Sequence, residues 1–253
     1  MTNNIIYFIA NWKMYGNSTS VNSINRVISL SKTKKFRKTS IIYCPPYTLL
    51  NQFTKKTKRT RIQIGAQNCH AKNDYGANTG SINSKMIKNA GCKFVIIGHS
   101  ENRKDGDTDK DINNKIKSAL KEKLKVIFCI GESLDEKRKR KTHLVLKRQL
   151  IKGLHKIKNI ENIFIAYEPI WSIGTGIIPK INDLKKQVRK IKFFLLKKFK
   201  NKNVKILYGG SVSSKNIKSF SQIYEIKGFL IGGASLDSGS FSSIIKTVQN
   251  FQE

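Results

Sequence analysis

Acidic residues are scarce in this chain of 253 residues. Lys and Arg number 49 against 16 Asp and Glu, which gives a formal net charge of +33. Such an excess of basic residues suggests nucleic acid as a possible binding partner. The charge is spread along the chain, however, and in residues 184–200 apolar side chains recur at steps of three and four with lysines between them. That spacing predicts an amphipathic helix with a solvated basic face, so we expect no specific nucleic-acid surface.

Cysteine and long apolar runs are also rare. The four cysteines, Cys44, Cys69, Cys92 and Cys129, form no C-x-x-C pair, so their spacing suggests neither a zinc site nor a disulfide framework. Reduced thiols fit the cytoplasm best. The apolar run at residues 5–10 is too short for a signal sequence or a membrane span, and residues 1–4 carry no basic side chain. We therefore predict a soluble cytoplasmic protein.

Short apolar runs recur along the chain, and helical patterns lie between most of them. Runs without polar alternation are expected of strands that are buried on both faces of a parallel sheet. One helical pattern covers residues 18–30, and another opens with Ser133 and Glu136 at the spacing of a capping box. The predicted strands are 5–10, 41–44, 62–65, 93–97, 125–130, 162–167, 205–208 and 228–231. This alternation predicts a single (β/α)8 TIM barrel domain over residues 1–253, with an open doubly wound sheet as the alternative.

Reactive residues follow several of these strands. Lys13 comes after the first strand, His99 after the fourth and Glu168 after the sixth. The C-terminal ends of the strands carry the chemistry in such barrels, and glycine-rich turns such as 209–212 and 232–235 are suited to bind phosphate there. Each residue alone is also compatible with an ordinary surface position. Together they predict a base, an electrophile and a cation around one small phosphorylated ligand.

The segment 166–176 mounts Glu168 at the end of its strand. Pro169 favours an extended backbone at Glu168. Gly174 and Gly176 can adopt positive φ and bring backbone N–H groups close to a ligand. The chain shows no serine or cysteine nucleophile beside a base, no cluster of metal ligands and no dinucleotide fingerprint after the first strand. Proton transfer on a bound phosphate ester is the reaction class that remains.

Short motifs occupy most of the strand ends. They are Asn11-Trp12-Lys13-Met14, Gly65-Ala66-Gln67-Asn68, Ile97-Gly98-His99-Ser100-Glu101, Cys129-Ile130-Gly131-Glu132, Tyr167-Glu168-Pro169-Ile170-Trp171 with Ile173-Gly174-Thr175-Gly176, Tyr208-Gly209-Gly210-Ser211-Val212 and Ile231-Gly232-Gly233-Ala234-Ser235-Leu236. In this order and over the whole chain they resemble the triosephosphate isomerase family. The resemblance implies a cofactor-free interconversion of dihydroxyacetone phosphate and D-glyceraldehyde 3-phosphate through an enediolate, a step of glycolysis and gluconeogenesis.

The resemblance also implies a role for each site residue. Glu168 is expected to be the base, His99 a neutral electrophile and Lys13 the positive charge that stabilises the oxyanion. Asn11 is expected to contact the substrate oxygens and Glu101 to position Lys13. The N–H groups expected to bind the phosphate belong to Gly174, Ser211, Gly232 and Gly233. Gly174 would arrive only when its loop closes, and closure protects the enediolate from losing phosphate in water. No metal is implied.

The chain departs from the family in its loop and in its dimer contact. Ser172 stands where the family usually has alanine, and we expect the added hydroxyl to alter loop closing and leave the chemistry unchanged. The resemblance implies a homodimer through the 73–81 loop, with Thr79 of one subunit near the partner's Lys13. A phenylalanine, a glutamate and an arginine of that contact are replaced by Asn78, Ser81 and Asn102. Because both members of one ion pair are missing, we expect a weaker interface.

Three other functions are compatible with parts of the sequence. Another phosphate-binding barrel, such as a sugar-phosphate isomerase of amino-acid biosynthesis, would lack the Glu-Pro hinge loop. A nucleic-acid-binding protein would use the charge, but the chain carries no nucleic-acid motif. A barrel that has lost its activity is disfavoured because every expected polar site residue is present.

Overall fold

Eight parallel strands form a closed barrel in the computed structural model, which describes residues 5–201 and 203–250. β1 pairs with both β2 and β8, so the predicted barrel is confirmed and the open sheet is wrong. The strands are β1 Ile6–Asn11, β2 Thr39–Cys44, β3 Gln63–Ala66, β4 Phe94–Ile97, β5 Lys125–Ile130, β6 Ile163–Tyr167, β7 Lys205–Tyr208 and β8 Ile226–Ile231. That residues 1–253 make one domain stays a prediction, since residues 1–4, 202 and 251–253 lie outside the described residues.

Helices surround the barrel. They are α1 Asn25–Lys32, α2 Leu50–Thr57, α3 Ser84–Asn89, α4 Ser100–Lys104, α5 Asp109–Lys121, α6 Leu134–Arg138, α7 Thr142–Gly153, α8 Ile181–Phe199, α9 Ile217–Ser221 and α10 Ser238–Gln249. The capping box of Ser133 and Glu136 is present at the start of α6. The helix predicted at 18–30 begins instead as a 3-10 helix, Ser18–Ile24, in which the Asn17 side chain caps the first turn.

The core has two layers because the strands are buried on both faces. Inside the barrel, Ile9, Ile42, Ile96 and Ile127 pack together with Phe94 and other fully buried side chains. The second layer lies between the strands and the helices. All residues of β4 and β6 are buried, as their unbroken apolar sequences predict. This two-sided burial fixes the strands and hence the residues that follow their C-terminal ends.

Helix α8 is amphipathic, as the spacing in residues 184–200 predicts. Leu184, Val188, Ile191 and Leu195 are its buried residues, and most of its lysines lie on the other faces. Among the helices of the described residues, none is both long and apolar enough to cross a membrane.

Candidate active site

A cavity of about 210 Å³ opens where the C-terminal ends of the strands meet. It is smaller than the ~300–1,000 Å³ pockets that take drug-sized ligands, so it suits a small metabolite. The predicted site residues that line it are Asn11, Lys13, His99, Glu168, Gly174, Ser211, Gly232 and Gly233. Glu101 contacts Lys13 beside the cavity. Thr79 does not line the cavity and is exposed in the 73–81 loop.

Two glycines determine where Glu168 lies. Its backbone N–H donates to the carbonyl of Ile130 over 2.8 Å, which holds the end of β6 against β5. A Cβ at Gly131 would lie 1.8 Å from the carbonyl oxygen of Glu168, and a Cβ at Gly209 would lie 2.7 Å from its Cγ. Real carbon atoms do not approach so closely without displacement. Glycine at both positions is therefore a condition for the carboxylate to occupy its place.

Burial makes the Glu168 carboxyl a stronger base. The residue is only 2% exposed, and loss of water raises its pKa above the ordinary value. His99, the Cys129 thiol and Lys13 act in the opposite direction, in that order, and do not cancel the effect of burial. A general base is most effective when its pKa lies near the working pH, so the shift favours proton abstraction near neutrality.

The His99 ring is buried and held by the start of α4. Its Nδ1 accepts the backbone N–H of Glu101 over 3.3 Å, so the lone pair is on Nδ1 and the proton of the neutral ring is on Nε2. Nε2 lies 3.8 Å from Oε1 of Glu168. A carboxylate oxygen of Glu101 also lies 3.5 Å from Nδ1. We assign the neutral ring because the backbone N–H already occupies Nδ1. The Nε2–H is therefore available to a ligand in the cavity.

Lys13 has an unusual backbone conformation that directs its side chain. Its φ is 53°, a region that costs a residue other than glycine on the order of 1–3 kcal/mol. Side chains hold it there: Gln67 donates to its carbonyl over 2.8 Å, and its own N–H donates to Asn11 over 3.2 Å. The ammonium donates to Glu101 over 2.6 Å. The positive charge is thus fixed at the mouth of the cavity before any ligand arrives.

Backbone N–H groups and a serine line the opposite side of the cavity. Gly232 and Gly233 open the 3-10 turn Gly233–Ser235, and the first N–H groups of a helical turn have no partner within it. Gly174 and Gly176 have φ of 69° and 74°, as the loop sequence predicts. The Gly176 N–H donates to Oγ of Ser211 over 3.3 Å. This side of the cavity is suited to an anionic group such as phosphate.

The hydroxyl of Ser172 links the loop to its surroundings. It donates to the carbonyl of Ile177 over 2.6 Å and lies 3.2 Å from the hydroxyl of Tyr208. The Ser172 carbonyl accepts from Oγ of Ser211 over 2.6 Å. An alanine at this position would keep only the backbone contact. The hydroxyl thus adds contacts at the base of the loop that the sequence alone did not reveal.

A buried carboxylate that the sequence did not assign lies behind the loop. Glu132 accepts from the indole N–H of Trp171 over 2.9 Å and from the hydroxyl of Tyr167 over 3.2 Å. Burial raises the pKa of the Glu132 carboxyl. The ammonium of Lys137 lies 3.2 Å from the centroid of the Trp171 ring. The sequence does carry a signal for it, because Glu132 lies two residues after the end of β5, and Glu168 likewise comes directly after β6.

The sequence model of the triosephosphate isomerase family matches residues 6–248. The chain belongs to the triosephosphate isomerase family. It is 42% identical over 245 residues to the triosephosphate isomerase of Dictyoglomus thermophilum, covering 94% of this chain and 97% of that one. It is 37% identical to the enzyme of Bradyrhizobium, covering 97% and 99%. The crystal structure of triosephosphate isomerase from Bartonella henselae superimposes with a TM-score of 0.87 at 33% identity, covering 96% of this chain and 98% of the other.

Family membership confirms the predicted activity. Triosephosphate isomerases are aldose-ketose isomerases that interconvert dihydroxyacetone phosphate and D-glyceraldehyde 3-phosphate in glycolysis and gluconeogenesis. The substrate is accordingly a phosphorylated triose, which agrees with the small cavity and its phosphate-suited side. A sugar-phosphate isomerase of another barrel family is excluded by the match over nearly the whole chain.

Proposed function

We propose that Glu168, His99 and Lys13 carry out the isomerisation. The observation that supports this assignment is their convergence on one small cavity, where Nε2 of His99 lies 3.8 Å from a carboxylate oxygen of Glu168. The carboxylate is buried and the imidazole presents an N–H, so the two groups suit a base and an electrophile on adjacent sides of the ligand.

The proton balance follows from these positions. Glu168 removes a proton from C1 of dihydroxyacetone phosphate, and the electron pair forms the C1–C2 double bond of the enediolate. The His99 Nε2–H donates to the carbonyl oxygen as negative charge develops there, and the ring takes a proton back from the C1 hydroxyl. Glu168 then returns its proton to C2, which yields glyceraldehyde 3-phosphate. The Lys13 ammonium stabilises the developing oxyanion without rearranging, and Asn11 adds a polar contact.

The phosphate of the substrate binds at the other side of the cavity. The N–H groups of Gly232 and Gly233 hold it, together with that of Ser211, which donates to the Ser172 carbonyl over 3.1 Å in this structure and would have to turn to the ligand. Gly174 adds its N–H when the 170–176 loop closes. Closure excludes water and so prevents the enediolate from losing phosphate. Glu101 keeps the Lys13 ammonium in position through its bond of 2.6 Å.

The enzyme works as a homodimer in the cytoplasm. Exposed apolar side chains support the dimer. Met14 and Tyr15, which follow Lys13, are 94% and 59% exposed in the single chain, and Tyr75 in the 73–81 loop is 63% exposed. Exposed apolar side chains are expected where protein partners make contact. Thr79 in the 73–81 loop would then approach the partner's Lys13. The four cysteines are free and buried, which suits a reducing compartment.

Steady-state kinetics on glyceraldehyde 3-phosphate test the assignment of the base. We expect Glu168→Gln to lower kcat about 10²–10⁴-fold, because the amide cannot accept the proton, with a small effect on KM. Glu161→Gln is the matched control, since Glu161 is exposed at the opposite end of β6 and should leave the activity unchanged. Comparable kcat values in the two variants would refute the role of Glu168.

A further inference from the structure

A second cavity, of about 730 Å³, lies at the end of the barrel opposite to the active site. Its walls include Gln63 and Lys125, the first residues of β3 and β5, and Lys93, which comes just before β4. The N-terminal ends of β3, β4 and β5 therefore form one side of it, and residues of α2 and of the end of α3 form the other. The isomerisation uses no residue of this cavity, so its features need a separate explanation.

The charged side chains in the lining of this cavity are all basic. They are Lys55, Lys58, Lys93, Lys123 and Lys125. In the part of the chain that the structure describes, none of these lysines forms an ion pair with a carboxylate. Other lysines do, and Lys13, Lys115 and Lys139 lie 2.6, 2.6 and 2.8 Å from carboxylate oxygens. The cavity thus concentrates positive charge that the protein itself does not neutralise.

The charge is high enough to affect a neighbouring lysine. Burial lowers the pKa of Lys205, the positive charge of Lys125 lowers it further, and the carboxylate of Glu161 acts in the opposite direction without cancelling the shift. The ammonium groups of Lys125 and Lys205 lie over two aromatic rings, 5.3 Å from the centroid of Phe94 and 5.1 Å from that of Phe164. Both lysines therefore lie near each other at the N-terminal end of the barrel, although their charges repel.

Negative groups near the cavity offset only part of this charge. The C-terminal ends of α2, α3 and α5 point to this end of the barrel, and each contributes roughly half a negative charge. Glu122, next to Lys123, accepts an amide N–H from Asn73 over 2.7 Å on the far side of α5. Five lysines line the cavity and no carboxylate does, so the cavity retains an excess of positive charge.

We propose that this cavity binds a compound with two or more linked phosphate groups. The lysines come from two groups of elements: Lys55 and Lys58 lie at and just after the end of α2, whereas Lys93 and Lys123 precede β4 and β5 and Lys125 is the first residue of β5. Linked phosphates reach both sides, and the volume lies within the ~300–1,000 Å³ of ordinary ligand pockets. A single nucleic-acid strand, by contrast, is bound along an extended groove.

Isothermal titration with sodium tripolyphosphate tests the proposal. Saturating 2-phosphoglycolate keeps the isomerase site filled, and added salt keeps the ionic strength constant. We expect one tripolyphosphate site per chain in the wild type. Lys58→Gln/Lys93→Gln should weaken it about tenfold or more, because two charge-assisted contacts are lost. Lys147→Gln/Lys152→Gln, which removes the same charge from exposed positions of α7, should change the affinity less than about twofold.

Further measurements distinguish the occupants. Unchanged isomerase kcat in both double variants shows that they are folded, whatever the outcome for Glu168. Tighter binding of ATP than of tripolyphosphate identifies a nucleotide, and equal binding identifies the phosphates alone; both results support the site. The proposal is wrong if the wild type does not bind tripolyphosphate, if both lysine pairs weaken binding equally, or if a single-stranded RNA oligonucleotide binds more tightly and displaces tripolyphosphate.

Discussion

The two ends of the barrel differ in whether their basic side chains form ion pairs. At the active-site end, two basic side chains have close carboxylate partners: Arg103 lies 2.8 Å from Asp109 and Lys13 lies 2.6 Å from Glu101. At the other end, the lysines around the larger cavity have none among the described residues. Five of the 16 acidic residues lie in the segment 101–111 that follows β4, namely Glu101, Asp105, Asp107, Asp109 and Asp111. The net charge of +33 therefore says little about the reaction and more about the remaining surface.

The difference has a physical reason. A catalytic ammonium must be in place before the transition state forms, and a carboxylate partner holds it there. An unpaired surface lysine keeps its rotamer freedom and its hydration, and it contributes to a field that salt screens within about 8–10 Å. At the active-site end, the fixed position of a single ammonium group is important for the reaction. At the other end, the number of neighbouring positive charges is important for binding an anion.

His99→Gln should give the largest difference between the two ends. We expect kcat to fall about 10²–10³-fold, because the amide is a poorer proton donor to the developing oxyanion and cannot shuttle the proton. Lys125→Gln, at the opposite end, should leave kcat within about twofold, since screening weakens its field at that distance. Steady-state kinetics of both variants test this prediction. Equal losses of kcat would show that the two ends of the barrel do not differ in their importance for the reaction.

Adding an ion pair at the active-site end should strengthen the proposed dimer. Ser81→Glu and Asn102→Arg together restore the pair that the family resemblance implies. We expect up to ~1 kcal/mol, or about a fivefold lower dimer Kd, by sedimentation equilibrium. Each single substitution should give less, because a lone charge has no partner. Additive effects of the two single changes would mean that these positions do not meet across an interface.

Removal of the Ser172 hydroxyl should have a smaller effect. Ser172→Ala loses the bond to the Ile177 carbonyl, worth about 1 kcal/mol, and should change the loop equilibrium and kcat/KM roughly two- to fivefold. Trp171 in the loop provides a fluorescence signal for closing. Ser23→Ala is the control, since its hydroxyl also donates to a carbonyl but lies far from the loop. Identical closing rates in the wild type and Ser172→Ala would show that the hydroxyl does not affect the loop.

Burial of the Glu168 carboxylate should lower the free energy of unfolding by a small amount that depends on pH. Its pKa is raised in the folded protein above the ordinary value of 4.5, so the folded state favours the neutral acid. Below that ordinary value the wild type and Glu168→Gln should have similar unfolding free energies. As pH rises through the folded pKa, the wild type must bury a charge and should become the less stable of the two.

Denaturant unfolding at about pH 4 and about pH 8 measures this gap. A wild type that gains stability relative to Glu168→Gln as pH rises would contradict the raised pKa and indicate that the charged form is favoured by its neighbours.

The barrel and the residues at its strand ends could be predicted because the apolar runs mark the strands directly. The strand limits differ where the runs end in less apolar residues. β2 begins at Thr39 and β8 at Ile226, each two residues before the predicted start, because Thr39 pairs with Ile6 and Ile226 with Ile206. Pairing with a neighbouring strand extends a strand beyond its apolar run, and one-dimensional periodicity does not contain that information.

Contacts between distant side chains could not be predicted. The neighbours of the Ser172 hydroxyl, Ile177 and Tyr208, depend on the path of the loop over β7. The lysines of the larger cavity are spread over residues 55–125 and meet only because the barrel brings the starts of β3, β4 and β5 together. In the sequence they look like the many other lysines of the chain.

Gly131 and Gly209 also limit how this enzyme can evolve. Any side chain at either position would displace Glu168, so neither can be used to reshape the pocket for a different sugar phosphate. Acceptance of longer substrates would have to come from changes at other residues that line the cavity, such as Val212. Adaptive change in substrate range is thereby directed away from the two glycines that place the base.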